Sequence, residues 1–310
     1  MTLTVAIIGA TGLQGGSVLR ALHATGGYKL VAVTRNTSSE SAKEIKTKYP
    51  DVELVAADIN DTASLEKAFK GADFVFGMTQ FFQPEITDKV GSGNLDAEYI
   101  QGKNIIDAAI AVGVKNIVMS TLPSMKEISG GKYSKVLHFE GKHRVEEYLK
   151  SKADKIRGAT IYLGFYMENY LQFSQISSED KATVEFTFPF SPTTEIPLAE
   201  AGKDTGGVVA YIIANFDDFV GKATEVSGGF YQAQEMVNAF TEATGKPARY
   251  VQIPHAYLNS EELEQMFKGV EEFGLFDKSA GFLETNKKMG YKHTTPAEFW
   301  KHCGWTGPSQ

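Results

Sequence analysis

A single cysteine, Cys303, stands in the 310 residues, so the chain holds neither an internal disulfide framework nor a cysteine-ligated metal site. That scarcity suits a reducing compartment, and Cys303 reads as a partly buried bystander near the C-terminus. No stretch reaches the roughly 18 consecutive apolar residues of a membrane span. The six histidines show no ligand spacing, and no metal is expected. There is no lysine- or arginine-rich run, and the formal net charge is −7. Both argue against direct nucleic-acid or membrane-surface binding, and no segment reads as a recognition helix with basic flanks. The first residues follow a strand pattern with no basic n-region, so no cleaved signal is expected. The expected location is the cytoplasm, with the nucleus second.

The chain does have alternation. Short β-branched, apolar runs recur at Val5–Ile8, Leu30–Thr34, Val52–Ala56, Phe74–Met78, Asn116–Ser120 and Thr160–Leu163. Between them, Ser17–Ala24, Ser41–Tyr49, Ala63–Phe69, Tyr99–Val112 and His138–Lys150 carry helical spacing. Strands alternating with amphipathic helices give βαβ units and a parallel sheet, covered on both faces and therefore apolar throughout. The second half is less regular. Thr183–Glu195 is rich in β-formers and proline, Asp204–Asn215 and Tyr231–Thr244 read as helices, and Tyr250–Ile253 as a strand stopped by Pro254. Thr295-Pro296-Ala297-Glu298 is a helix start with a capping box. The acidic run Glu261–Glu272 reads as a solvated helix face. No repeat or linker appears, so the second lobe is expected to be folded onto the first.

Four glycines fall in eight positions, Gly9 to Gly16, directly after the first apolar run. A strand, Gly9-x-x-Gly12-x-x-Gly15 and then a helix is the layout of a dinucleotide-binding first βα turn. Gly9 turns the chain off the strand, Gly12 lets backbone approach a pyrophosphate, and Gly15 with Gly16 lets the helix pack on the sheet. The helix N-terminus offers N–H groups and a partial positive charge. About 20 residues on, a NAD site places an acid on the ribose 2′-OH. Here the second strand ends Val33-Thr34-Arg35-Asn36, and Arg35 suits a 2′-phosphate, which favours NADP. Asp58 falls where a residue beside the adenine would lie, and equally where a loop residue ahead of a helix would. Thr79 and Gln80 follow the fourth strand, at the carboxyl ends where such sheets bind ligands.

Gly9-Ala10-Thr11-Gly12-Leu13-Gln14-Gly15-Gly16-Ser17-Val18 with Val33-Thr34-Arg35-Asn36 resembles the NmrA-like family, atypical members of the short-chain dehydrogenase/reductase superfamily. His138-Phe139-Glu140-Gly141-Lys142, Phe165-Tyr166-Met167-Glu168-Asn169 and the C-terminal Thr-Pro-x-Glu-Phe start resemble further segments of that family, in order. The resemblance implies an α/β fold. Its Rossmann-type doubly wound parallel sheet takes residues 1–163, and a smaller α+β lobe over the cofactor cleft takes mainly 164–310, with some segments returning to the core. It also implies NADP(H) binding. By matching motif, Gly9, Thr11, Gly12, Leu13 and Gln14 would meet the pyrophosphate, and Arg35 the 2′-phosphate. Thr79 and Gln80 would approach the nicotinamide half, Lys142 the nicotinamide ribose, and Tyr166 with Asn169 would line the pocket. Some members of the family are reductases, and others report redox state to a regulatory partner.

Hydride transfer to a carbonyl needs a proton donor, and the short-chain dehydrogenases that the chain resembles typically use a tyrosine four residues before a lysine, on the same helix face. Here the pair is His138-x-x-x-Lys142. A neutral imidazole still donates one N–H bond, and Lys142, Tyr133 or Tyr166 are alternative donors. His138 equally suits packing at the helix start. Ser120-Thr121-Leu122, after the fifth strand, is either an oxygen-polarising group or a polar turn, and Trp300 and Trp305 with Phe299 read as packing. The missing tyrosine favours a cofactor sensor acting on a regulatory protein. Retained Lys142, and a large C-terminal lobe expected to close a pocket around Tyr166, Phe81 and Phe82, keep a second reading open, an NADPH-dependent reductase of a quinone, aldehyde, ketone or imine.

Overall fold

The computed structural model describes residues 2–91, 93–276 and 288–308. Its first half is the expected alternation. Strands β1 (Leu3–Ile8), β2 (Tyr28–Thr34), β3 (Glu53–Ala56), β4 (Phe74–Met78), β5 (Asn116–Thr121) and β6 (Arg157–Leu163) alternate with six helices. These are α1 (Leu13–Thr25), α2 (Glu40–Lys48), α3 (Thr62–Phe69), α4 (Pro84–Gly91), α5 (Ala97–Ala111) and α7 (Leu137–Lys150), with a single turn, α6 (Met125–Ile128), before the last. A seventh strand, β11 (Ala223–Val226), escapes the sequence reading and extends the sheet to the order β11-β6-β5-β4-β1-β2-β3. β1 pairs in parallel with both β2 and β4, and the chain winds outward from β1 in both directions. This Rossmann-like α/β arrangement has its switch point between β1 and β4, where doubly wound sheets open a crevice. Ile8, Val33, Leu65, Phe69, Ile105 and Met119 belong to the fully packed core on one side of that sheet.

Later elements are β7 (Phe165–Tyr166), β8 (Ser174–Ile176), β9 (Val184–Phe188), β10 (Glu195–Ala199), β12 (Gly229–Gln232) and β13 (Ala248–Gln252). The helices among them are α8 (Asn169–Gln172), α9 (Asp204–Ala214), α10 (Ala233–Thr244), α11 (Glu261–Phe273) and α12 (Pro296–Cys303). Two small sheets result, β12-β10-β7 and β13-β9-β8. Tyr231 and Gln232, read as helix from sequence, are strand instead, paired with Ile196 and Glu195, because β-formers precede the Gln232 cap of α10. The Thr295 helix start is as expected, with both halves of its capping box made to Glu298.

The chain forms two compact units that interleave. Residues 1–124, 137–162 and 205–224 make the first, and 125–136, 163–204 and 225–310 the second. The second has an aromatic core in which Phe188 stacks on Phe190 at 5.2 Å, and the buried Trp300 donates from Nε1 to the Met236 carbonyl at 2.8 Å. Its segment 125–136 lies along α11. Lys132 and Lys135 pair with Glu272 and Glu261, so the acidic helix face is solvated and also matched by cations. No described helix is long and apolar enough to cross a membrane.

His293 is buried in the second unit, and burial pulls its pKa down to about 4 from the usual 6.5. A depressed histidine pKa means the folded state favours the neutral ring. The stability tied to this ring is fully present above pH 6.5, falls as the unfolded chain takes up a proton between pH 6.5 and 4, and levels off below about 4. Between pH 7 and 4.5, wild type should therefore lose about 2.5 kcal/mol more than His293→Asn in denaturant unfolding. Equal losses would remove His293 from the account.

Candidate functional site

Where β1 ends, Gly9 adopts φ +66°, a left-handed backbone that suits glycine, and a Cβ on it would sit 3.1 Å from Met78 Sδ at the end of β4. The Gly12 N–H then donates to the Gly9 carbonyl at 2.8 Å, and Gly16 N–H to Gly12 at 3.0 Å, which starts α1. A Cβ on Gly15 would overlap the carbonyls of both Ile8 and Gly9, so α1 meets β1 backbone to backbone. Gly12, as N-cap, has no side chain to close the helix end, and the first turn carries no acid. Thr11, Gly12 and Leu13 are exposed. Uncapped N–H groups, a positive dipole end and bare backbone fit a pyrophosphate. Gln14, next in the turn, is buried.

Arg35 follows β2 and is exposed. Its Nη1 donates to Gln83 Oε1 at 2.8 Å, just ahead of α4. The Asp58 carboxylate accepts from the backbone and the side-chain amide of Asn60, at 2.8 and 2.9 Å. It closes a local turn, and Asp61 caps α3.

After β4, Thr79 is buried and donates its hydroxyl to Glu98 Oε1 at 2.7 Å. The Gln80 N–H donates to Gln101 Oε1 at 3.1 Å. Glu98 is 2% exposed, and the same Oε1 accepts the ammonium of Lys142, itself 15% exposed. Lys142 thus has a buried counter-ion that the sequence reading missed. The signal was present: Glu98, Gln101, Gly102 and Ile105 follow i, i+3, i+4, i+7 spacing on α5, an acid in a buried stripe. α5 and α7 approach closely because Gly102 faces Val145 and Gly141 faces Glu98. His138 is buried one turn before Lys142, and its ring lies 5.0, 5.6 and 4.7 Å from those of Phe82, Phe81 and Phe139. Gly9–Gln14, Arg35, Asp58, Thr79, Gln80, His138 and Lys142 all belong to the first unit, and the first five of these groups follow the carboxyl ends of β1 to β4.

Ser120 is buried at the end of β5, and the Thr121 hydroxyl donates to Glu146 at 3.1 Å, together with Tyr162 at 2.7 Å. The polar turn imagined at 120–122 is a strand end committed to Glu146, so Thr121 serves that carboxylate. In the second unit, Tyr166 pairs in β7 with Ala199, and Asn169 opens α8. Between them Glu168 accepts from the N–H groups of Ala201 and Gly202, while burial outweighs those bonds and holds its carboxyl above the usual range. Tyr133 donates its hydroxyl to Glu272 at 2.8 Å, and desolvation with that carboxylate raises its pKa. A phenol so held is a poor acid at neutral pH.

The model of the NmrA-like family matches residues 1–300. The chain belongs to the NmrA-like family. Among its relatives is the NmrA-like family domain-containing oxidoreductase FrzB of Cladobotryum sp, 28% identical over 268 residues, or 81% of this chain and 76% of that protein. Among solved structures, NmrA, a negative transcriptional regulator, in complex with NADP superposes with TM-score 0.77 at 22% identity, over 97% of this chain and 95% of NmrA. The NADPH-dependent quinone oxidoreductase QOR2 of Escherichia coli, complexed with NADPH, gives 0.73 at 23%, over 97% and 99%. At such identities the two structures speak for the fold that the NmrA-like family shares.

Proposed function

We propose that this chain binds NADP(H) in preference to NAD(H) and reads the bound cofactor for a regulatory protein partner. In this reading Gly9, Thr11, Gly12, Leu13 and Gln14 hold the pyrophosphate, Arg35 the 2′-phosphate, and Asp58 flanks the adenine. Lys142 grips the nicotinamide ribose beside Thr79 and Gln80. The observation that carries the sensor reading is the hydrogen bond from Arg35 to Gln83. A 2′-phosphate takes a guanidinium bidentately and competes with Gln83, whereas a 2′-hydroxyl leaves that bond in place. The head of α4 therefore feels which cofactor is present, and differential contacts of this kind are what a ligand-driven shift requires. Hydrogen exchange across residues 80–91 should change with saturating NADP⁺ and stay as in the free protein with NAD⁺. The same response to both would end the sensor reading.

A reductase is the second reading, favoured by the buried Lys142–Glu98 pair and by relatives that bear the name oxidoreductase. NADPH supplies hydride when bound, and the chain's part is to orient the ribose and keep water from the transfer. NADPH oxidation with a panel of quinones, aldehydes, ketones and imines decides it. Turnover that disappears in Lys142→Ala supports the enzyme, and tight NADPH binding without turnover supports the sensor.

A further inference from the structure

We infer that Glu98 is a positioning residue: it fixes Lys142 as an ammonium with two N–H donors left for the hydroxyls of the nicotinamide ribose. The inference rests on the cofactor reading above and adds to it how the lysine is held. Glu98 is 2% exposed, and its Oε1 receives both Lys142 Nζ and the Thr79 hydroxyl. One carboxylate thereby ties the end of β4, α5 and α7 together. Its Oε2 has no partner among the described residues and would lie 2.8 Å from a Cβ at position 141. A side chain there would force the Glu98 carboxylate to shift.

Stability is a poor reason for this arrangement. A buried ion pair gains little over apolar residues of the same volume, because desolvation offsets its attraction. Orientation is a better reason. Lysine carries a flexible stem with many rotamers, and ordering it on binding opposes affinity unless it is ordered beforehand. An ammonium has three donors, and Glu98 takes one. The pair is also neutral overall, so Lys142 recognises hydroxyls by direction, while Arg35 recognises a phosphate by charge.

The test is a double-mutant cycle on the full chain, read as NADPH and NADH binding by fluorescence titration, with Glu98→Gln, Lys142→Met and both together. Lys142→Met and Glu98→Gln should each weaken both cofactors about tenfold, the low end for a bond to a charged group. The double variant should bind no worse than Lys142→Met alone, because Glu98 acts through the lysine. Losses that add in full, or a Glu98→Gln protein that binds as wild type while Lys142→Met does not, overturn the inference and leave the cofactor reading standing. A Lys142→Met protein that binds as wild type overturns the placement of Lys142 itself. If Glu98→Gln does not fold, Glu98→Asp keeps the charge, shortens the reach and enters the same cycle.

Discussion

Arg35→Ala should weaken NADPH binding on the order of 10- to 150-fold and leave NADH binding within about twofold, the range expected when one hydrogen bond to a charged group, about 1.5–3 kcal/mol, is lost. The side chain is exposed after β2, and its bond to Gln83 is also exposed, so its removal touches no packed surface. Thermal unfolding should accordingly move little. Affinity for both cofactors by titration, with unfolding temperature beside it, separates the outcomes. Equal losses for NADPH and NADH would place the 2′-phosphate elsewhere. In the proposed reading the contrast with Glu98→Gln is built in, since that substitution would act at the ribose common to both cofactors.

Gly15→Ala should cost the fold, and Gly12→Ala only the ligand. A methyl on Gly15 collides with the carbonyls of Ile8 and Gly9, which are backbone atoms in the central strand and its turn and have no rotamer to escape into. Overpacking of a well-filled site costs about 1–3 kcal/mol, and rigid backbone neighbours put this case at or above the top of that range. α1 must move off β1, and the cradle is lost with it. A methyl on Gly12 meets only the Gly9 carbonyl at 3.3 Å, a contact that a small shift relieves, but it stands in the exposed mouth of the turn. Urea unfolding and NADPH titration of both variants are the measurement. A Gly15→Ala protein as stable as wild type would contradict the backbone-to-backbone packing.

The parallel sheet was legible because strands buried on both faces leave continuous apolar runs, as in Val5–Ile8 and Phe74–Met78. The cradle was legible because glycine spacing records where backbone must approach backbone. Strand β11 was not, since Ala-Thr-Glu-Val is too short and too polar to announce itself, and its place comes from β6. Gln83 and Glu98 were missed for a related reason. Each acts on a residue 48 or 44 positions away, and helical periodicity absorbs Glu98 into an α5 stripe without naming its partner. Sequence spacing reports neighbours along an element, while ion pairs across elements become visible only once the strands have been ordered.

The interleaving of the two units has a consequence for synthesis. The chain crosses from one unit to the other five times, after residues 124, 136, 162, 204 and 224. The glycine cradle is among the first parts to leave the ribosome, yet the sheet that supports it gains its last strand, β11, some 200 residues later. Until then β6 is an open edge, the kind that recruits foreign strands. Gly206, whose N–H donates to Ser17 Oγ at 2.8 Å, fastens α9 onto α1 in the same late step. A fragment that stops at residue 163 carries every glycine of the cradle without α9 or β11. The first unit is thus completed only by residues 205–224, which follow a long excursion into the second.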